Sequence, residues 1–177
     1  MTEENPQMLG KTEMAGLDIS PAVAGRAVEQ TRQRAEYLIE LRHKIEVRAA
    51  ALLRAFLGLA IAIVGFGVGI ERLAGGDPAT VVRYVVGASP LFVAAACMGA
   101  AIWDRNYGTL GSSAHWYLRH GVIDGDETDV AYLDACLAES YERGNSDSSR
   151  CNRVALNYIR AGLISAALTP LCLLVAL

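Results

Sequence analysis

Residues 84–103 read YVVGASPLFVAAACMGAAIW, a run without a charged side chain that is bounded by Arg83 and Asp104. About twenty such residues, as a helix, cross the hydrocarbon core of a bilayer. Two further uncharged runs accompany it, AFLGLAIAIVGFGVGI at 55–70 and AGLISAALTPLCLLVAL at 161–177. A soluble domain of this size would need helices with a polar face, which these runs lack. The sequence therefore predicts an all-α integral membrane protein with three transmembrane helices.

The distribution of basic residues predicts how the chain is oriented. Residues 1–54 carry eight Lys or Arg, residues 71–83 carry two, and residues 104–160 carry six. Cytoplasmic segments keep an excess of these residues. We therefore expect a cytoplasmic N-terminus, a cytoplasmic 104–160 segment, and an extracytoplasmic C-terminus.

Composition divides the chain into five segments. We expect a disordered N-terminus over 1–19, a cytoplasmic helix over 20–54, a transmembrane hairpin over 55–103, a cytoplasmic helical segment over 104–160, and a third transmembrane helix over 161–177. Ser20-Pro21 is a favourable helix start, because serine caps and proline suits the first helical position. Gly75-Gly76-Asp77-Pro78 is typical of a turn, so the first two spans should form an antiparallel pair.

The 104–160 segment is expected to contain several short helices. Breaks are expected at 106–111 and 124–126, with a short helix over 113–120 between them. A further helix is expected over 128–143, with Gly144 as its end. A new helix would then begin at 145–149 and continue into the third span.

The cytoplasmic helices carry apolar faces that predict packing. On the first, Arg42 interrupts a four-three spacing that is otherwise apolar or small: Thr31, Ala35, Leu38, Ile45, Ala49 and Leu52. Such a seam predicts contact with a copy of the chain or with the 104–160 segment, and Leu38 and Ile45 are candidate oligomer contacts. On the later helix, the predicted face is Val130, Leu133, Leu137 and Tyr141.

The first span also holds a glycine pair of the kind that lets helices approach closely. Gly65 and Gly69 form a GxxxG motif, and small residues promote helix association in lipid. We predict that they lie at an oligomer interface. The glycines at 65–69 do not form a phosphate loop, since no strand precedes them and the run is apolar.

Local basic clusters are the candidates for an anionic ligand. The net charge is zero over 1–54 and −3 over 104–160, which argues against general polyanion binding. Arg42 and Lys44 precede the first span, and Arg150 and Arg153 precede the third; these four are the candidate ligand-binding residues. Basic residues at these positions also set membrane topology without any ligand.

Chemistry-bearing patterns are missing from the sequence. His43, His115 and His120 lack metal-ligand spacing, and no strained nucleophile elbow surrounds Ser112 or Ser113. We predict no catalytic residue, no metal site, no cofactor and no enzymatic activity. Ser89-Pro90 and Thr169-Pro170 favour kinks in the second and third spans. Such kinks suit a gated protein and are also common in ordinary transmembrane bundles.

The order of these features resembles that of a known group of membrane proteins. The charged helix YLIELRHKIEVRA at 37–49 leads into the first span, and a short hairpin follows. A tyrosine-containing helix at 130–143 and the amphipathic stretch NRVALNYIR at 152–160 then enter the last span. Over residues 30–177 this resembles the small membrane effectors of bacterial anti-phage defence, such as Pycsar transmembrane effectors and SLATT proteins.

The resemblance implies a function that composition does not show. It implies a homo-oligomeric effector in a bacterial inner membrane, which disrupts that membrane or forms an ion channel when a nucleotide second messenger appears. The implied partners are the lipid bilayer, copies of the chain, the nucleotide and an enzyme that synthesises it. The alternative is a structural or scaffold membrane protein that recruits a cytoplasmic partner. A transporter subunit is disfavoured, since the second and third spans contain no ionisable residue.

Overall fold

The computed structural model describes residues 19–74, 78–103 and 130–176, and about 96% of them are helical. In chain order the helices are α1 Pro21–Ala74, α2 Ala79–Ile102, α3 Val130–Ala167 and α4 Thr169–Ala176. No strand occurs in these described ranges. The all-α prediction is confirmed at this level.

Three helical stretches are long and apolar enough to cross a membrane: Pro21–Leu73, Ala79–Ile102 and Val130–Val175. Their most apolar windows differ in burial, at 11% for the first and third and 44% for the second. The second stretch is therefore the most buried of the three, while little of the apolar window of the other two is buried within a single chain.

The helix starts follow the local chemistry expected of them. The carbonyl of Ser20 accepts hydrogen bonds from the amides of Val23 and Ala24, at 3.1 and 3.0 Å, so α1 begins at Pro21 as predicted. Pro78 is the N-cap residue of α2. The predicted disorder over 1–19 lies outside the described residues except for Ile19. The turn at 75–77, and the breaks and short helix within 104–129, lie outside them entirely.

The described residues form two compact units. The first combines α1 up to Glu40 with α3 up to Arg150, and the second combines Leu41 onward, α2, and the chain from Cys151. In the first unit, Arg34 Nη1 donates to Glu142 Oε1 at 2.8 Å, and Asn145 Nδ2 donates to the carbonyl of Thr31 at 2.9 Å. These contacts join the two helices of that unit.

The core of the second unit brings three helices together. Its buried members are Ile45 and Ala49 from α1, Met98 and Ala101 from α2, and Ala155 from α3. The α2 helix also packs against α4. Small side chains dominate this core, so the helix backbones approach closely.

The structure corrects two predictions about α3. The helix does not end at Gly144 but continues unbroken from Val130 to Ala167. An interior glycine costs a helix about 1 kcal/mol relative to alanine, which the neighbouring buried Asn145 and its bond to Thr31 help to offset.

The second correction concerns the face that α3 buries. Val130 is 66% exposed, and Leu133, Leu137 and Tyr141 are only half-buried. Most buried positions follow two seven-residue repeats of small and polar residues: Ala131, Ala138, Asn145 and Asn152, and Ser148, Ala155 and Gly162; Cys136 and Glu139 are buried as well. The predicted face was wrong because it was chosen by apolar character, whereas α3 packs through side chains that are short.

The two proline positions behave differently. Pro90 cannot donate to the carbonyl of Val86, and the Ser89 hydroxyl donates to that oxygen at 2.7 Å instead. The α2 helix therefore continues through Pro90. At the other site, the helix is interrupted at Leu168, whose amide bonds to the carbonyl of Ser165 at 3.0 Å, and α4 begins at Thr169.

Candidate functional site

The predicted ligand-binding residues occupy different environments. Arg42 is buried, with 6% of its surface exposed, whereas Lys44, Arg150 and Arg153 are exposed. Arg42, Lys44 and Arg153 belong to the second unit and Arg150 to the first. Three of the four side chains are therefore in contact with solvent, whereas that of Arg42 is enclosed.

Arg42 has a clear packing role inside the second unit. Its Nε donates to Glu46 Oε1 at 2.5 Å, and its Nη2 donates to the carbonyl of Ile102 at 3.4 Å. Ile102 is the last residue of α2, where helical carbonyls lack an intrahelical partner. The negative end of the helix dipole also stabilises a cation at this position. Arg42 is therefore buried on the packed face of α1, where it binds the C-terminal end of α2.

Leu38 and Ile45, the predicted oligomer contacts on α1, are already covered within one chain. They are 7% and 3% exposed, in the first and second unit respectively. Of the two partners that the sequence allowed, intramolecular packing accounts for this burial. Contacts between copies through these side chains would require that packing to open.

The glycines of α1 from Gly58 onward divide into one packed position and an open set. A methyl group at Gly67 would lie 2.6 Å from Tyr84 Cδ2 and 2.7 Å from Tyr84 Cβ, so α2 covers this position. A methyl group at Gly58, Gly65 or Gly69 would meet no heavy atom of the described residues within 4 Å.

These two sets lie on nearly opposite sides of the helix. Gly65 and Gly67 are separated by about 200° of helix rotation. Ala62, also exposed, lies between Gly58 and Gly65 on the open side. The open side of α1 is therefore a continuous strip of small residues, which we call the open glycine face and define by Gly58, Ala62, Gly65 and Gly69.

Next to Gly67, an aromatic pair joins α1 to α2. The rings of Phe66 and Tyr84 meet edge to face, with centroids 5.9 Å apart and planes at 84°. This arrangement is a favoured aromatic geometry. Together with Gly67, it explains why α1 and α2 meet closely on one side and leave the other side free.

Sequence reasoning missed the buried polar residues of α3. Asn145 and Ser148 are 1% and 3% exposed in the first unit, and Asn152 is 3% exposed in the second. The signal that could have found them is a seven-residue spacing, of 131, 138, 145 and 152 for the two asparagines and of 148, 155 and 162 for Ser148. Within the described ranges, no group of three or more His, Cys, Asp or Glu could hold a metal ion.

Comparisons with family models, with curated proteins and with solved structures find no match to this chain. The resemblance to anti-phage membrane effectors therefore stays a prediction.

Proposed function

We propose that this chain is a homo-oligomeric membrane effector of a bacterial anti-phage system, which acts on the inner membrane as an ion channel or by disrupting the bilayer. The observation that carries the proposal is the open glycine face of α1, which lies opposite the side that packs on α2. Lipid tails give helices no hydrophobic reason to associate, so close approach through small residues is the main route to assembly.

Assembly is needed because three spans enclose no aqueous path on their own. The most apolar windows of the first and third spans are only 11% buried within one chain. Such surface is free to meet lipid or neighbouring copies. Ring-like association through α1 would place several copies around a common axis, which is the arrangement a pore requires.

The proposed orientation places the N-terminus in the cytoplasm and the C-terminus outside. Its support is the basic asymmetry, with fourteen of the sixteen Lys and Arg outside the short 71–83 connection and on one predicted side. The charged parts of α1 and α3 would then face the cytoplasm, where an internal signal arises.

The proposed trigger is a nucleotide second messenger made by a partner enzyme. Lys44 and Arg153 of the second unit, and Arg150 of the first, are exposed, and each carries a positive charge that attracts phosphate. A nucleotide would shift the protein toward its active state only by binding that state more tightly. Arg42 would act indirectly, because its guanidinium holds the end of α2.

The test combines assembly with activity. In cells, induced wild-type protein should arrest growth and admit a membrane-impermeant dye, and in detergent it should have a multimeric mass by light scattering. Gly65→Leu and Gly69→Leu should lower both the mass and the dye entry. Val82→Leu, which adds bulk at an exposed position of α2, is the matched control and should change neither.

Two outcomes would overturn this function. A wild-type protein that is monomeric in detergent and in membranes removes the basis for a pore. A multimeric protein that neither arrests growth nor admits dye would favour the scaffold alternative, in which the cytoplasmic helices recruit a partner.

A further inference from the structure

The second unit contains a groove that shares only Lys44 with the residues of the proposed nucleotide trigger. The groove encloses about 530 Å³, within the range of roughly 300–1,000 Å³ that is typical of small-molecule sites. Its apolar lining comes from two helices, with Leu41, Ile45 and Leu52 from α1 and Leu156, Ile159 and Leu163 from α3. Leu156 and Leu163 are 37% and 46% exposed, so apolar surface remains uncovered along the groove.

The groove also has a charged border. Lys44 and Arg48 line it beside these apolar residues. Residues four apart on a helix lie on the same side, with Cβ atoms about 5–6 Å apart, so both cations can reach a single anionic group. Both side chains are exposed.

Much of the apolar lining lies further along the helices than the two cations, although Leu41 precedes Lys44 and Ile45 lies between the cations. At 1.5 Å per residue, Leu52 lies roughly 6 Å further along α1 than Arg48 and roughly 12 Å further than Lys44. Leu52 lies just before the uncharged run of α1, and Leu163 lies within the uncharged run that begins at residue 161. Lys44 and Arg48 lie in the charged part of α1. This is the order of a phospholipid, whose phosphate lies at the interface and whose acyl chains lie in the hydrocarbon core.

The lining does not suit a nucleotide. Among the described residues that form the groove there is no aromatic ring to stack on a base and no amide or hydroxyl side chain to read its edge. A largely apolar wall with two cations toward the charged part of α1 matches an amphiphile instead. From this geometry we infer that the groove between α1 and α3 binds an anionic phospholipid of the surrounding membrane, with its phosphate on Lys44 and Arg48 and an acyl chain along Leu156 and Leu163.

The inference rests on the membrane placement in the proposed function but not on assembly or toxicity. The test is native mass spectrometry of the full chain in detergent micelles, with palmitoyl-oleoyl phosphatidylglycerol as the probe and phosphatidylcholine of the same acyl chains as the neutral comparison. Each basic residue near an anionic lipid is worth roughly fivefold in binding. Lys44→Gln/Arg48→Gln should therefore weaken phosphatidylglycerol binding by roughly 25-fold and bring it close to that of phosphatidylcholine.

Three controls make the result decisive. Arg54→Gln removes an exposed cation of the same helix that does not line the groove, and it should leave binding unchanged. Leu156→Trp should lower binding of both lipids by filling the groove. The single variants Lys44→Gln and Arg48→Gln should each weaken phosphatidylglycerol binding roughly fivefold. They provide the measurement if the double variant folds poorly.

Two results would overturn the inference. One is an equal loss of binding in Arg54→Gln, which would mean general charge attraction. Another is displacement of the lipid by millimolar inorganic phosphate, which would indicate a site for a free anion. Because the masses of monomer and multimer are read separately, a monomer that binds phosphatidylglycerol would support the lipid site and count only against the proposed assembly.

Discussion

The sharpest prediction compares two glycines of α1 that are two residues apart. Gly67→Ala adds a methyl group 2.6–2.7 Å from three atoms of Tyr84, including its Cβ. Gly65→Ala adds the same methyl group where no described heavy atom lies within 4 Å. Both changes gain about 1 kcal/mol of helix propensity, so this gain cancels when the two variants are compared.

The difference between the variants therefore measures the contact with Tyr84. Overpacking of this kind costs about 1–3 kcal/mol, because the Cβ of Tyr84 cannot move without moving its helix. A chain of this size loses roughly 2–4 °C of melting temperature per kcal/mol. We expect Gly67→Ala to melt roughly 2–12 °C below Gly65→Ala in detergent.

A double-mutant cycle isolates the cause. In a Tyr84→Gly background both the ring and the Cβ of residue 84 are absent, so the difference between the two glycine variants should disappear. Thermal unfolding followed by circular dichroism provides the measurement. Equal melting temperatures for Gly67→Ala and Gly65→Ala in the wild-type background would refute the packed and open assignment of these glycines.

Three further predictions follow from single contacts. Ser89→Ala removes the hydroxyl that bonds to the Val86 carbonyl and should cost about 0.5–1.5 kcal/mol of unfolding free energy; in a Pro90→Ala background, where the amide of residue 90 returns, the same change should cost little. Asn145→Ala removes the buried bond to the Thr31 carbonyl and should cost about 1–3 kcal/mol of unfolding free energy, measured by chemical denaturation. In the same measurement, Asn157→Ala on the exposed side of α3 should be near neutral. A reporter fused after Leu177 should be active outside the cytoplasm, and one inserted at Asp126 should be active inside it; the reverse pattern would contradict the orientation drawn from the basic residues.

The sequence predicted those features of the fold that depend on local physics. Long uncharged runs located the three helices that are long and apolar enough to cross a membrane, and Ser20-Pro21 located the start of α1, because both signals are local in the sequence. The packed face of α1 was also found, since Leu38, Ile45 and Ala49 are apolar and regularly spaced. These features needed no knowledge of what each helix touches.

The features that were missed depend on contacts distant in sequence. Arg42 looked like an interruption of the apolar face, because its role arises only when α2 brings the carbonyl of Ile102 to it. The buried face of α3 was missed because Asn145 and Ser148 are polar and short, and their burial depends on a close neighbour. Gly144 looked like a helix end because local propensity favours one there, whereas the bond from Asn145 to Thr31 supports the continuous helix.

Close packing inside the chain and the proposed packing between copies use different glycines. Methyl groups at Gly87 and Gly162 would meet Leu173 at 2.5 Å and the carbonyl oxygen of Ala94 at 3.1 Å. At these positions and at Gly67, the helices of the second unit are in close contact. Gly65 and Gly69 make no such contact, so α1 and α2 can pack together without using the surface proposed for assembly. Helix association in lipid depends on such close approach. A bulky residue at Gly65 should therefore block assembly while leaving each chain folded. A bulky residue at Gly67 should instead disturb the packing of α1 on α2 within each chain.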